Sequence, residues 1–333
     1  MIIFRENEIR ASVQMNKEAI SIVEDGFTQL ALGRATMPPI LRVDIPEHNG
    51  EVDVKTAYIQ GLDTFALKMS SGFFNNYQKG LPSLSGMMIV ISAETGIPLS
   101  LLLDNGYLTD IRTAAAGAVA AKYLAKQELD TVGVIGAGAQ ARYQIRALQQ
   151  VRDFNRVLVY GPTPERVERY VIEMEEELGV KVSAASSAEA VVKESQMVVT
   201  TTPSKTPIIK PEWLHPGLHI TAMGSDAEHK QELDVHVLER ADLLACDVKA
   251  QCFRLGELHH GVAQGILSKE SDIVEIGELT AGRMAGRTNE EQITICDLTG
   301  TGVQDTVIAR FAYSELVAKG LGIQLENEEG RLV

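Results

Sequence analysis

From Thr131 to Asp297 the chain alternates short apolar runs with stretches of helical period, and that alternation leaves few folds open. Strands are expected at Thr131–Ile135, Val157–Tyr160, Met197–Thr200, His219–Ala222, Leu243–Cys246 and Ile293–Asp297, with helices at 139–150, 164–178 and 233–240 between them. Strands separated by helices have crossovers long enough for parallel pairing, so a parallel, doubly wound sheet follows. The first strand runs into Gly136-Ala137-Gly138-Ala139-Gln140-Ala141, a Gly-x-Gly-x-x-Ala turn that opens a helix. Gly136 permits the tight turn, Gly138 lets a pyrophosphate approach the backbone, and Ala141 is small enough for the helix to pack on the strand. The helix start then offers unpaired N–H groups to phosphates. A strand before and a helix after make this a Rossmann dinucleotide site rather than a glycine-rich structural turn.

The cofactor can be NAD(H) or NADP(H), with NAD(H) slightly favoured. The second strand ends at Tyr160-Gly161-Pro162-Thr163. It carries neither the acid that would hold a ribose 2′-hydroxyl nor an Arg for a 2′-phosphate. Thr163 can cap the next helix with Pro164 at its first position, and Arg166 follows in the first turn.

The first hundred residues follow another grammar. Asn16 can cap a helix with an apolar face of Ala19, Ile20, Val23, Phe27, Leu30 and Ala31, and Gly33 stands where a terminating glycine belongs. After Pro38-Pro39 the period changes to two, in Val52–Tyr58 and Phe65–Ser70, with further strands expected at Met87–Ser92 and Leu99–Leu103. Glycine-bearing turns separate them, so a mostly antiparallel sheet with one helix is expected. Residues 109–125 read as an alanine-rich helix capped by Thr109 or Asp110. Thr306–Lys319 reads as an amphipathic helix that packs back on the first domain, and the acidic tail Glu326–Val333 as frayed.

Composition removes other classes. With 31 Lys+Arg against 45 Asp+Glu the net charge is −14, whereas nucleic-acid binding needs a basic face. No apolar run approaches the ~18 residues that span a bilayer. Met1–Arg10 mixes charge with apolar residues and has no signal-peptide core. The three cysteines, Cys246, Cys252 and Cys296, form no Cys-x-x-Cys motif and read as buried small residues. A reduced, cytoplasmic protein without a metal site is expected.

Four cations stand out in the first domain: Arg42, Lys55, Lys68 and Arg112. Lys55 and Lys68 sit inside strands, where the plain reading points them to solvent and the other into a site. Arg112, in the first turn of the alanine-rich helix, would oppose the helix dipole by ~0.3–1 kcal/mol unless an anion sits there. The alternative is an exposed Arg paired with an acid such as Asp110. Asp226 follows the strand His219–Ala222, at the end that faces the ligand crevice of a doubly wound sheet. There it could serve as a general base or steady an iminium cation, or be a plain loop aspartate. His259 and His260 point ~100° apart on a helix, which suits a structural role better than a shared metal. His229 is either a loop residue or a second base.

Taken together, the motifs resemble the ornithine cyclodeaminase/μ-crystallin family over essentially the whole chain. The matching pieces include Met37-Pro38-Pro39 with Arg42, Ala66-Leu67-Lys68, Thr109-Asp110-Ile111-Arg112-Thr113-Ala114-Ala115, Gly136-Ala137-Gly138, Thr200-Thr201-Thr202-Pro203, Met223-Gly224-Ser225-Asp226 and Thr299-Gly300-Thr301-Gly302-Val303-Gln304-Asp305. Gly50–Tyr58 and Gly224–Lys230 look most like the cyclodeaminase-like proteins of ectoine utilisation. The stretch from Lys68 to Lys79 is similar to the iminosuccinate reductase branch.

The resemblance implies an α/β architecture: a Rossmann domain at 126–301, and an α+β domain for substrate binding and dimerisation at 1–125 with 302–333. It implies a homodimer and NAD(P). It also implies that Arg42, Lys68 and Arg112 bind a substrate carboxylate and that Asp226, with Lys68, is catalytic; Lys55 is a further substrate-binding candidate that could read a second carboxylate. Cofactor contacts are implied for Gly136, Gly138, Ala139, Gln140, Thr113, Thr201, Thr202, Met223, Gly224, Thr301 and Gly302. The implied reaction exchanges hydride at the α-carbon of a small amino or imino acid, as an imine or ketimine reductase or amino-acid dehydrogenase. The alternative is a cyclodeaminase, which recycles the hydride internally and releases ammonia. A non-catalytic μ-crystallin-like binder of small ligands is the third reading.

Overall fold

A computed structural model describes residues 1–325, so the acidic tail from Glu326 lies outside the described residues. The chain opens with β1 (Ile2–Arg5), α1 (Glu6–Ser12) and α2 (Lys17–Ala31), then β2 (Ala35–Thr36) and β3 (Leu41–Ile45). The meander follows as β4 (Gly50–Ile59), β5 (Thr64–Phe73), β6 (Leu84–Ser92) and β7 (Pro98–Leu103), closed by α3 (Tyr107–Leu124). The alternating part comprises β8 (Thr131–Ile135), α4 (Ala139–Gln149), β9 (Arg156–Tyr160), α5 (Pro164–Leu178), β10 (Lys181–Ala184), α6 (Ala188–Glu194) and β11 (Met197–Thr200). It continues with β12 (His219–Ala222), α7 (Val235–Glu239), β13 (Leu243–Cys246), α8 (Lys249–Cys252), α9 (Gly256–Ala263), β14 (Val274–Glu275), α10 (Ile276–Thr280) and β15 (Thr294–Asp297). Last come α11 (Gly302–Ala318) and β16 (Ile323–Gln324).

The chain divides into two compact units, Met1–Arg112 with the segment from Thr301, and Thr113–Gly300. The first division falls inside α3. The second unit is a wholly parallel sheet in the order β10-β9-β8-β11-β12-β15-β13-β14. Its strands are near-continuous apolar runs because both faces carry helices. Two apolar clusters fill it, one around Val191, Ile220 and Ile295, the other around Val134, Ile145 and Tyr170.

The first unit holds the sheet β16-β1-β7-β6-β5-β4-β2, with β3 also on β4. The hairpins of the meander are antiparallel, as the period-two pattern predicts, but β1 runs parallel to β7. That N-terminal strand was not legible, since four residues are too few to show a period. Asn16 caps α2 as expected, its Oδ1 accepting the Ala19 N–H at 2.9 Å, and Gly33 follows the helix with φ +70°. Alternation along β4 and β5 buries Lys55, Ala57, Ala66 and Lys68 on one face. The opposite face presents Val54, Leu67 and Met69.

Two helix expectations need correction. The alanine-rich helix starts at Tyr107, and Asp104 serves its N-terminus by accepting the Leu108 N–H at 2.8 Å, in place of Thr109 or Asp110. The C-terminal helix starts at Gly302 rather than Thr306, and every residue from Gly302 to Ala309 is buried, so its first half is not amphipathic. It packs on β4 and β5, where the Thr306 hydroxyl donates to the Ala57 carbonyl at 2.7 Å.

Candidate active site

In the first unit β5, α3 and α11 bring three charged side chains together, all nearly inaccessible. Asp305 Oδ1 lies 2.9 Å from Arg112 Nε, and Asp305 Oδ2 lies 3.2 Å from Lys68 Nζ. Lys55 pairs with Lys68 across β4 and β5, so two lysines stand opposite each other on the buried face. Like charges in that register repel, and burial adds a desolvation cost. Burial, with the Arg112 charge beside it, pushes the Lys68 ammonium down to about 7 against the pull of Asp305. Burial would raise the Asp305 carboxyl, but Arg112, Lys68 and Lys55 outweigh it and hold the group below its ordinary value.

The plain reading of Lys55 and Lys68 as solvent-facing is therefore overturned: they are 6% and 1% exposed. The dipole argument for Arg112 also falls. With α3 beginning at Tyr107, Arg112 lies in its second turn, beyond the reach of the terminal dipole. Its partner is Asp305 rather than Asp110. Asp305 itself was missed as a site residue, although it closes the quoted Thr299–Asp305 motif.

Arg42 shares the inward face, opposite Asp53 on β4, but local acids take its guanidinium. Asp44 lies at 2.9 Å and Asp53 at 3.8 Å, and Glu51 makes a short contact. Among the described residues Arg42 makes no ion pair with the Asp305 group. Thr301 and Gly302, expected at the cofactor, begin α11. Thr301 is buried and reciprocally bonded with Gln304, and Gly302 packs against the Thr56 carbonyl.

In the second unit the glycine turn has the conformation its sequence requires. Gly136 has φ +114°, which L side chains rarely adopt. A Cβ at Gly138 would meet nothing within 4 Å, and no side chain caps α4. Ala141 is wholly buried against the strand. Arg142, unremarked in the sequence, holds the turn by donating to the carbonyls of Ala137 and Gly138 at 2.8 and 3.0 Å. Ala139 is exposed and Gln140 half-buried, while the Thr113 carbonyl accepts from Gln144 at 3.1 Å.

Four buried carboxylates tie down the C-terminal edge of the parallel sheet. Glu232 accepts from the Thr200 hydroxyl at 2.6 Å and from the N–H groups of Thr202 and Gly224 at 2.6 and 2.8 Å. Glu257 accepts from the N–H groups of Glu232 and Leu233 at 2.7 and 3.1 Å. Asp297 accepts from Leu258 N–H at 3.0 Å, and Asp247 from Thr299 and Gly300 N–H at 2.8 and 2.7 Å. These staples fix Thr201, Thr202, Met223 and Gly224 at the ends of β11 and β12. Thr201 donates its N–H back to the Ile135 carbonyl at 2.9 Å. Asp226 follows in the loop after β12, partly exposed, with Lys230 Nζ at 2.6 Å. His260 bonds the Lys230 carbonyl at 2.7 Å and His259 the Phe253 carbonyl at 3.4 Å, the structural roles expected of that pair. The three cysteines are buried and free.

Comparison with known proteins places these features in one lineage. The sequence signature of the Ornithine cyclodeaminase/mu-crystallin family matches residues 2–320. The chain is 50% identical over 327 residues to a putative dehydrogenase of Rhizobium meliloti, covering 98% of this chain and 99% of that protein. Its fold is similar to that of the Thermococcus litoralis Delta(1)-pyrroline-2-carboxylate reductase in complex with NADH and L-proline. That structure has a TM-score of 0.93 and 29% identity, covering 98% of this chain and 100% of the other. It is also similar to an archaeal alanine dehydrogenase dimer with bound NAD, with a TM-score of 0.91 and 35% identity, covering 98% and 99% of the two chains.

Proposed function

This chain belongs to the ornithine cyclodeaminase/mu-crystallin family, and from that premise we propose that it is an NAD(P)-dependent oxidoreductase exchanging hydride at the α-carbon of a small amino or imino acid. One observation carries the reading: Lys68 and Arg112, both buried, share the single carboxylate of Asp305. These three groups sum to one positive charge in an interior that penalises it, and a substrate carboxylate would balance them.

The open space at Gly138, the turn at Gly136 and the uncapped start of α4 fit a dinucleotide pyrophosphate, with Ala139 and Gln140 supplying the first helical N–H groups. When bound, the nicotinamide supplies or accepts the hydride. Arg112 and Lys68 hold the substrate carboxylate, and this fixes the orientation of the α-carbon. Asp226 stabilises the positive charge on the substrate nitrogen and carries a proton to or from it. Thr113, Thr201, Thr202, Met223, Gly224, Thr301 and Gly302 complete the proposed cofactor contacts. We assign Lys55, opposite Lys68 on β4, to substrate binding, together with Arg42, whose guanidinium would have to leave Asp44, Glu51 and Asp53 to reach a substrate carboxylate.

The outward face of the meander, with Leu41, Val43, Met69 and Leu103 exposed, suits a homodimer interface. The three free thiols suit a reducing, cytoplasmic compartment. A panel of amino and imino acids, assayed for both NAD(P)H absorbance and ammonia, tests the reading. Stoichiometric redox change supports the oxidoreductase. Ammonia without net redox change would make the protein a cyclodeaminase, and neither signal would remove the enzymatic reading.

A further inference from the structure

We propose that Asp305 is the positioning residue of the carboxylate clamp, holding Lys68 and Arg112 as a preset pair of cations for the substrate; this rests on the function proposed above. Asp305 lies in the first turn of α11 and is wholly buried. It divides its two oxygens between a side chain of α3 and a side chain of β5, so one carboxylate ties three elements together. The contact to Arg112 is made at Nε, at 2.9 Å. That choice leaves the fork formed by the two terminal guanidinium nitrogens, which makes no hydrogen bond among the described residues. The fork is the edge that matches a carboxylate with two parallel hydrogen bonds. Holding Arg112 from behind removes rotamer freedom before the substrate arrives, which lowers the entropy cost of binding.

The same carboxylate governs the charge on Lys68. The charged groups that face Lys68 are Arg112 from α3, Lys55 from β4, Asp305 from α11, and Asp104 from the turn before α3. Burial, Arg112 and Lys55 favour the neutral amine, and Asp305 is the opposing charge at contact distance. Without Asp305, Lys68 would lose its proton below neutrality and meet a substrate carboxylate as an uncharged amine. A merely structural ion pair would need one cation; a second buried cation on the same carboxylate adds desolvation cost, and Asp104, the other acid facing Lys68, forms no ion pair with it among the described residues.

The test uses the full chain labelled with ¹³C at lysine Cε, with the Lys68 signal identified by its loss in Lys68→Met. In the wild type without substrate this signal should titrate near neutrality. In Asp305→Asn it should titrate at least about one pH unit lower, the size of effect an adjacent opposite charge exerts. KM for whichever amino acid the enzyme turns over should rise at least about tenfold at pH 8, with a smaller effect on kcat, as loss of a charge-assisted contact predicts. A folded Asp305→Asn protein with an unmoved Lys68 titration, or with wild-type KM, overturns the proposal. If Asp305→Asn does not fold, Arg112→Met/Asp305→Asn removes a cation together with the anion and is compared with Arg112→Met. A lower Lys68 titration in the double variant supports the proposal, and equal titrations overturn it. If the wild type acts on no amino or imino acid, the proposed function fails, and the Lys68 titration then decides the role of Asp305 by itself.

Discussion

Arg112 and Lys68 put charge where a protein interior ordinarily excludes it, and the cost is bearable only against a counter-charge. If that counter-charge in turnover is the substrate carboxylate, Arg112→Lys should weaken apparent substrate affinity and Arg112→Ala should weaken it more. Losing one charge-assisted hydrogen bond costs roughly 1.5–3 kcal/mol, or about 10- to 150-fold. The measurement is KM for an amino acid beside its carboxamide, with Arg112→Ala expected to lose most of the preference for the acid. Equal discrimination by both proteins would leave Arg112 a structural residue. Asp226 is partly exposed and paired with Lys230, so Asp226→Asn should spare the fold. Turnover should still fall at least ~10²-fold, with cofactor binding retained; turnover within a few-fold of wild type would mean that the proton carrier lies elsewhere. Gly138 has empty space beyond it, so Gly138→Val should fold normally and lose nicotinamide cofactor affinity in a fluorescence titration. Unchanged affinity would show that no pyrophosphate lies there.

Among the elements, six strands of the parallel sheet and the Asn16 cap were readable because each is a local pattern of a few residues, whereas the edge strands β10 and β14 were missed, being short and only partly apolar. The loops at the sheet's C-terminal edge were not readable either, because their order comes from Glu232, Glu257, Asp297 and Asp247, whose partners are distant in sequence. Burial, with Asp247 and Glu232 adding to it, raises the Asp297 carboxyl to about 8, and burial raises Glu257 well above its ordinary value. A carboxyl raised in the folded state is protonated there while the unfolded chain has already ionised. Its stabilising contribution is therefore complete below the ordinary carboxylate range and is lost as pH rises through about 8. Unfolding free energy from urea titrations should fall from about pH 5 to about pH 8, by up to about 1.4 kcal/mol per pH unit for each such group. Asp297→Asn keeps an acceptor for Leu258 and cannot ionise, so its decline should be shallower. A wild-type profile that is flat over this range would contradict the burial argument.

For the whole molecule, the meander carries apolar residues on both of its faces. Under α11 Lys55 and Lys68 sit among buried Ala57, Ala66, Met88 and Val90, while Leu41, Val43, Met69 and Leu103 lie exposed on the opposite face. A net charge of −14 keeps such molecules apart in general, so an apolar face that persists on this background fits a specific contact with a second copy. Met69 lies on a central strand of that face and is 37% exposed. Met69→Lys should shift the protein from dimer toward monomer in sedimentation velocity, with little change in its circular dichroism. A wild type that sediments as a monomer at micromolar concentration would remove the dimer from the proposed function. Among the described residues no helix is long and apolar enough to cross a membrane.

What the sequence determined by itself is what short-range physics controls. The alternation of strand and helix, the Gly136 turn, the Asn16 cap and the period-two meander are each set within one element, so composition and spacing reveal them. The tertiary structure alone decided which face of the meander is inside, because alternation states that two faces differ and packing chooses between them. It alone paired Lys68 and Arg112 with Asp305, since the partner of a buried charge is set by register and helix placement across the fold. It also moved the start of α3 back to Tyr107, where Asp104, beyond the apparent helix, supplies the acceptor. The cations were legible as candidates because charge within an apolar run is conspicuous. The carboxylate between them was not, because an aspartate at the start of a helix looks like an ordinary first-turn acid until the first half of that helix is seen to be buried on every side.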